Sequence, residues 1–193
     1  MCFSFEVSIG TFIVSWSISL YLLGKKLDPM QRKHIKFLML FSTIQLADAL
    51  LWYSGMKKNK LNYYTTSFLI PSILSLMIIY NLYYRNDFKD NMFVNLFTVA
   101  MCLYLFSKFH GYSKSVCDGS LSSPIWGSDE IRYWQIVIYG LAIMYPFWQT
   151  VGFELLIVVP LIFYFANGAY GSLWCAVANL MALKYLYQYH YSS

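Results

Sequence analysis

Charge is the scarcest ingredient of this chain. Asp, Glu, Lys and Arg make up 12% of its 193 residues, about half the share found in a soluble domain. With 59% hydrophobic and 20% aromatic residues beside it, so little charge cannot clothe a water-facing globule. The solvent for most of the surface is therefore expected to be lipid. Cysteine is also sparse: Cys2, Cys102, Cys117 and Cys175 form no C-x-x-C pair, which leaves zinc and dithiol redox motifs without support. The three histidines, His34, His110 and His190, fall at the ends of apolar runs, whereas a membrane zinc hydrolase needs several His or carboxylate ligands converging on one point. No nucleophile–base pair emerges either, so no enzyme, metal or cofactor is expected. The opening segment, MCFSFE, lacks a positive charge, and no small-x-small site follows the first apolar run, so a cleaved leader is not expected. The net charge is +5, but the basic residues lie between apolar runs. They read as topology signals, with no nucleic-acid patch implied.

What the chain does have is long apolar runs. A transmembrane helix takes about 20 such residues. Seven candidates fit, at residues 6–23, 35–54, 63–84, 92–109, 133–147, 149–166 and 168–187, with a polar loop rich in Ser and Gly at 110–132. The expected fold is all-α: residues 1–193 as a single domain, a bundle of seven transmembrane helices. Pro71 and Pro160 lie inside runs and predict kinks, since neighbours or water can satisfy the freed carbonyl. Tyrosine, at 18 residues, clusters at run ends as an aromatic belt in the headgroup layer. Lys and Arg near the run ends favour a non-cytosolic N-terminus, with eight basic residues on the cytosolic side against six on the other, because the first loop usually dominates orientation.

Asp48 lies in the run FLMLFSTIQLADALLW, where every other residue is neutral. A carboxylate at that depth is costly, so it normally faces protein, water or a partner. Residues i, i+3 and i+7 share a helix face, which groups Gln45, Asp48 and Trp52. The same spacing groups Ser172, Cys175 and Asn179 in the last run. Ser172-x3-Ala176 and Ala178-x3-Ala182 add small-residue spacings that let helices approach closely. Glu6 and Glu154 are two further acids in apolar surroundings. Glu6, Gln45, Asp48, Trp52, Glu154, Ser172 and Asn179 together form the candidate polar intramembrane cluster. Two readings stay open for it: a path for an ion, proton or small solute, or hydrogen-bonded glue between helices. With the N-terminus outside, Glu6 and Asp48 fall in the outer half and could share a vestibule. Cys2 and Cys117 fall on that side too and are candidates for a disulfide.

Three stretches carry a resemblance. Met1-Cys2 followed by Glu6-Val7-Ser8, then Gln45-Leu46-x-Asp48 with Trp52, then Gly171-Ser172-Leu173-Trp174-Cys175 with Asn179, resemble a family of small polytopic membrane proteins encoded by giant DNA viruses and some algae and protists. In that family the long loop more often carries a Gly-His-x-x-Trp stretch; here it offers Pro124-Ile125-Trp126. The resemblance implies a viral or host internal membrane and no defined activity. Two function classes are expected to compete. One is a small ion, proton or solute transporter or channel. The other is a structural or assembly protein of such a membrane. The partners expected are the lipid bilayer, further copies of the chain and, on the transport reading, the ion or solute.

Overall fold

In the computed structural model, residues 4–85, 90–118, 121–127, 134–135, 138–139 and 170–191 are described. The chain is mostly helical, and three of its helical stretches, Phe5–Leu23, Pro29–Tyr53 and Lys60–Tyr83, are long and apolar enough to cross a membrane. The expected runs at 133–147 and 149–166 lie outside the described residues or nearly so, as does Pro160.

Helix α1 (Phe5–Leu23) starts where the Ser4 hydroxyl accepts the Val7 N–H and ends at Gly24. Its packing face is polar: Ser8, Ser15 and Ser19 are buried with Leu22, while Ile13, Val14 and Leu20 are exposed. These positions recur at helical spacing and make one stripe of small side chains. Such an arrangement is costly in water and natural in lipid, where apolar residues face the solvent and small residues let backbones approach.

Helix α2 (Pro29–Ser42) begins six residues before the expected start of the second run, at residue 35. The cause is a strong start signal. Asp28 accepts the N–H groups of Met30 and Gln31, the Gln31 side chain reaches back to the Asp28 N–H, and proline fills the first turn. This is a capping box, with Pro placed where no N–H is needed. The hydroxyls of Ser42 and Thr43 both bond back to the Met39 carbonyl. That competition with the backbone ladder interrupts the helix, and α3 (Ile44–Tyr53) continues the same span.

Asn59 caps α4 (Lys60–Tyr64). A π-helical stretch, Thr65–Leu69, then leads into α5 (Ile70–Ile79). Pro71, read from the sequence as a kink, is the reason: it has no N–H to donate, and the ladder widens just before it, with Ile70 N–H reaching Thr65 O. A second π-helical stretch, Tyr80–Arg85, ends this rod. Helix α6 (Met92–Lys108) is capped by Asn91 and is apolar on most of its exposed surface, with Phe93 84% exposed and only Thr98 and Leu105 buried. The last helix described, α7, runs from Tyr170 to Tyr191.

The bundle is built around α1, which packs on α2, α3 and α7, with α5 against α2 and α6. Ser15 meets Asn179, and Tyr21 stacks on His190, so α1 and α7 run in the same direction. Phe5 lies against Tyr53, so α1 and α3 run antiparallel. Between α6 and α7 the expected polar loop holds more structure than its composition announces. Strands β1 (Lys114–Asp118) and β2 (Leu121–Ile125) pair antiparallel, with Asp118 opposite Leu121 and Lys114 opposite Ile125. The hairpin packs against α3 and α7.

Candidate functional site

The polar centre sits at the end of the bundle where α3 finishes and the hairpin docks. Helix α3 supplies Gln45 and Asp48, both 0% exposed, and the half-buried Trp52. The face expected from their spacing therefore turns inward. Asp48 accepts a hydrogen bond from the indole Nε1 of Trp126 at 2.8 Å. Trp126 directly follows β2, is buried, and stands edge-on to Phe109 at the end of α6, with ring centroids 6.0 Å apart. Its indole N–H is a donor that must find an acceptor when buried, and a carboxylate is the strongest acceptor on offer. Gly127 follows with φ of +84°, a backbone conformation that favours glycine.

A second polar knot holds the start of the hairpin. Asn62, Thr66 and Ser113 are all buried. The Asn62 side-chain amide treats Ser113 as a strand neighbour would: Oδ1 accepts the Ser113 N–H at 2.9 Å, and Nδ2 donates to the Ser113 carbonyl at 2.9 Å. The same Nδ2 donates to Lys57 O at 3.1 Å. Thr66 Oγ1 donates to Asn62 Oδ1 at 3.0 Å and lies 2.7 Å from Ser113 Oγ, which also receives the Gly127 N–H at 3.3 Å. Ser67 exchanges hydrogen bonds with the backbone of Gly111. Loop backbone is thus satisfied by side chains of the α4 rod, as buried peptide groups require.

Two further candidate residues lie on α1 and α7. Asn179 joins α1: its Oδ1 accepts from Ser15 Oγ at 3.0 Å. Glu6 is exposed in the first turn of α1, since position 6 lies off the Ser8–Ser15–Ser19 stripe. Asp48, the residue expected to share a vestibule with it, is fully buried. Cys2 and Glu154 lie outside the described residues, as do the side chains of Ser172, Cys175 and Cys117. Among the described residues, no three His, Cys, Asp or Glu stand close enough to hold a metal ion.

Asn62, Thr66 and Ser113 carry no signal in the sequence, and Trp126 stands out there only as part of the Pro124-Ile125-Trp126 stretch, not as a member of the polar cluster. One signal was available: a buried carboxylate needs a donor, and Trp126 is an indole in an otherwise Ser-rich loop.

No family model, curated protein or solved structure matches the chain. Its class thus rests on its helices: three spans long and apolar enough to cross a membrane, compatible with a membrane protein.

Proposed function

We propose that the chain is an integral, multi-pass membrane protein with seven spans and a non-cytosolic N-terminus, serving as a structural or assembly component of an internal viral or host membrane. Its polar residues lock helices and seat the hairpin, and they do not line a conducting path. The observation that carries this reading is Asp48, which is 0% exposed and held by the Trp126 indole at 2.8 Å. A conducting carboxylate needs water or a mobile ion beside it; a hydrogen-bonded, dry one ties two elements together.

The transport reading keeps one supporting observation. The hydroxyls of Ser8 and Ser19 are buried on the inner face of α1 without a hydrogen-bond partner among the described residues, and buried hydroxyls of this kind can host ordered water. Flux of protons and monovalent cations in proteoliposomes separates the two readings. Wild type, Asp48→Asn and Trp126→Phe should all be silent. A wild-type flux that Asp48→Asn abolishes and Trp126→Phe raises would replace the structural reading with a gated one.

A further inference from the structure

We propose that a cleft at the head of the α4 rod binds the phosphate headgroup of an anionic phospholipid. The cleft measures about 480 Å³ and is lined by Lys58, Asn59, Lys60, Tyr63, Tyr64 and Tyr112. Its chemistry is one-sided. Its lining holds two lysines and three tyrosines, and no acid. Asn59 is already committed, with Oδ1 on Asn62 N–H and Nδ2 on Ser54 O. Among the described residues, the lysine ammoniums and the tyrosine hydroxyls of the cleft meet no protein acceptor. Two cationic and three phenolic side chains on one cleft, with no acid among them, suit a phosphate, which offers acceptor oxygens and negative charge.

The walls are held in place. Tyr63 contacts Tyr64, Tyr112 and Phe68, with ring centroids 5.8, 5.7 and 6.2 Å apart. Tyr112 belongs to the loop, and it reaches Tyr63 because its neighbour Ser113 is fastened to Asn62 and Thr66. The cleft is therefore a product of the polar knot.

Position decides between a lipid and a soluble phosphate. Lys60 opens a 24-residue stretch apolar enough to span a bilayer, so the lysines stand at the level of the headgroups. Phe68, half-exposed and packed on both Tyr63 and Tyr64, continues the aromatic wall toward the apolar layer. A headgroup in the cleft would run its acyl chains along that wall, a contact no free phosphate can make. This site does not depend on whether the bundle conducts.

The test is native mass spectrometry of the full chain, purified in detergent with equimolar phosphatidylglycerol and phosphatidylcholine. Phosphatidylglycerol should be retained selectively. Each lysine near an anionic headgroup is worth about five-fold in affinity, so the double variant Lys58→Gln/Lys60→Gln should weaken retention by about twenty-five-fold. Tyr112→Phe, which keeps the ring cluster and removes one donor, should weaken it less. Millimolar inorganic phosphate should leave the bound lipid in place. Equal retention of both lipids, unchanged retention in the double lysine variant, or displacement by inorganic phosphate would each overturn the proposal.

Discussion

Replacing Trp126 by Phe isolates the bond that seats the hairpin on the bundle. Phenylalanine keeps an aromatic ring beside Phe109 and removes the Nε1–H that Asp48 accepts at 2.8 Å. Asp48 has no exposed surface, so water cannot take over as donor unless the site opens. A hydrogen bond to a charged group contributes about 1.5–3 kcal/mol, against about 0.5–1.5 for a neutral pair. Within bilayers, measured side-chain couplings average about 0.6 and reach about 1.7 kcal/mol. The larger range should govern here, because Asp48 and the indole are both buried. For a chain of this length 1 kcal/mol moves Tm by about 2–4 °C, so Trp126→Phe should lower Tm by about 3–12 °C. Thermal unfolding in detergent measures it. The cycle Asp48→Ala, Trp126→Phe and the double variant then removes the packing terms common to both. A coupling of about 1.5–3 kcal/mol is expected, together with faster tryptic cleavage after the exposed Lys114 in Trp126→Phe. Additivity within about 0.5 kcal/mol, with unchanged cleavage, would refute the idea that this bond holds the hairpin.

Two further variants probe the other polar contacts. Asn62→Ala leaves the Ser113 carbonyl without the Nδ2 donor at 2.9 Å and should cost about 1–3 kcal/mol, seen as a lower Tm and faster hydrogen exchange at the Ser113 amide; a cost under about 0.5 kcal/mol would show that the knot is dispensable. Ser15→Ala should cost only about 0.6 kcal/mol, the usual value of an interhelical bond in lipid, whereas Ser15→Leu should cost about 1–3 kcal/mol by forcing α1 off its neighbours; equal costs for the two in detergent unfolding would show that close approach is not what the serine stripe provides.

The helical spans were legible because their signals are long and local. An apolar run such as 6–23 or 92–109 carries its own evidence, and the structure places helices over Phe5–Leu23 and Met92–Lys108. The start of α2 was obscured by its charged first turns: Arg32, Lys33 and Lys36 look like loop, yet the Asp28–Gln31 box extends the helix to Pro29. The inward face of α3 followed from helical spacing alone. Its partner did not. The indole that donates to Asp48 comes from 78 residues away in sequence, and Asn179 of α7 bonds to Ser15. Periodicity says which way a side chain points along its own helix and nothing about which loop folds back over it. The hairpin was hidden for a related reason: Lys114–Asp118 and Leu121–Ile125 are short and polar, and their pairing depends on a docking surface, Asn62 and Thr66, that lies in another span.

The serine stripe of α1 has a consequence for how the protein is made. A helix whose exposed side chains include Ile13, Val14 and Leu20 and whose buried ones include Ser8, Ser15 and Ser19 gains its stability in two separate moves. On the membrane reading proposed above, entry into the bilayer depends on the outward residues and requires no partner. Only afterwards do the serines bring α2, α3 and α7 close, because in lipid the gain comes from fit between backbones and not from escape from water. On the proposed membrane reading, the first span would hold as a helix before α7, more than a hundred residues later in the sequence, is made, and its serine stripe would meet that neighbour only then.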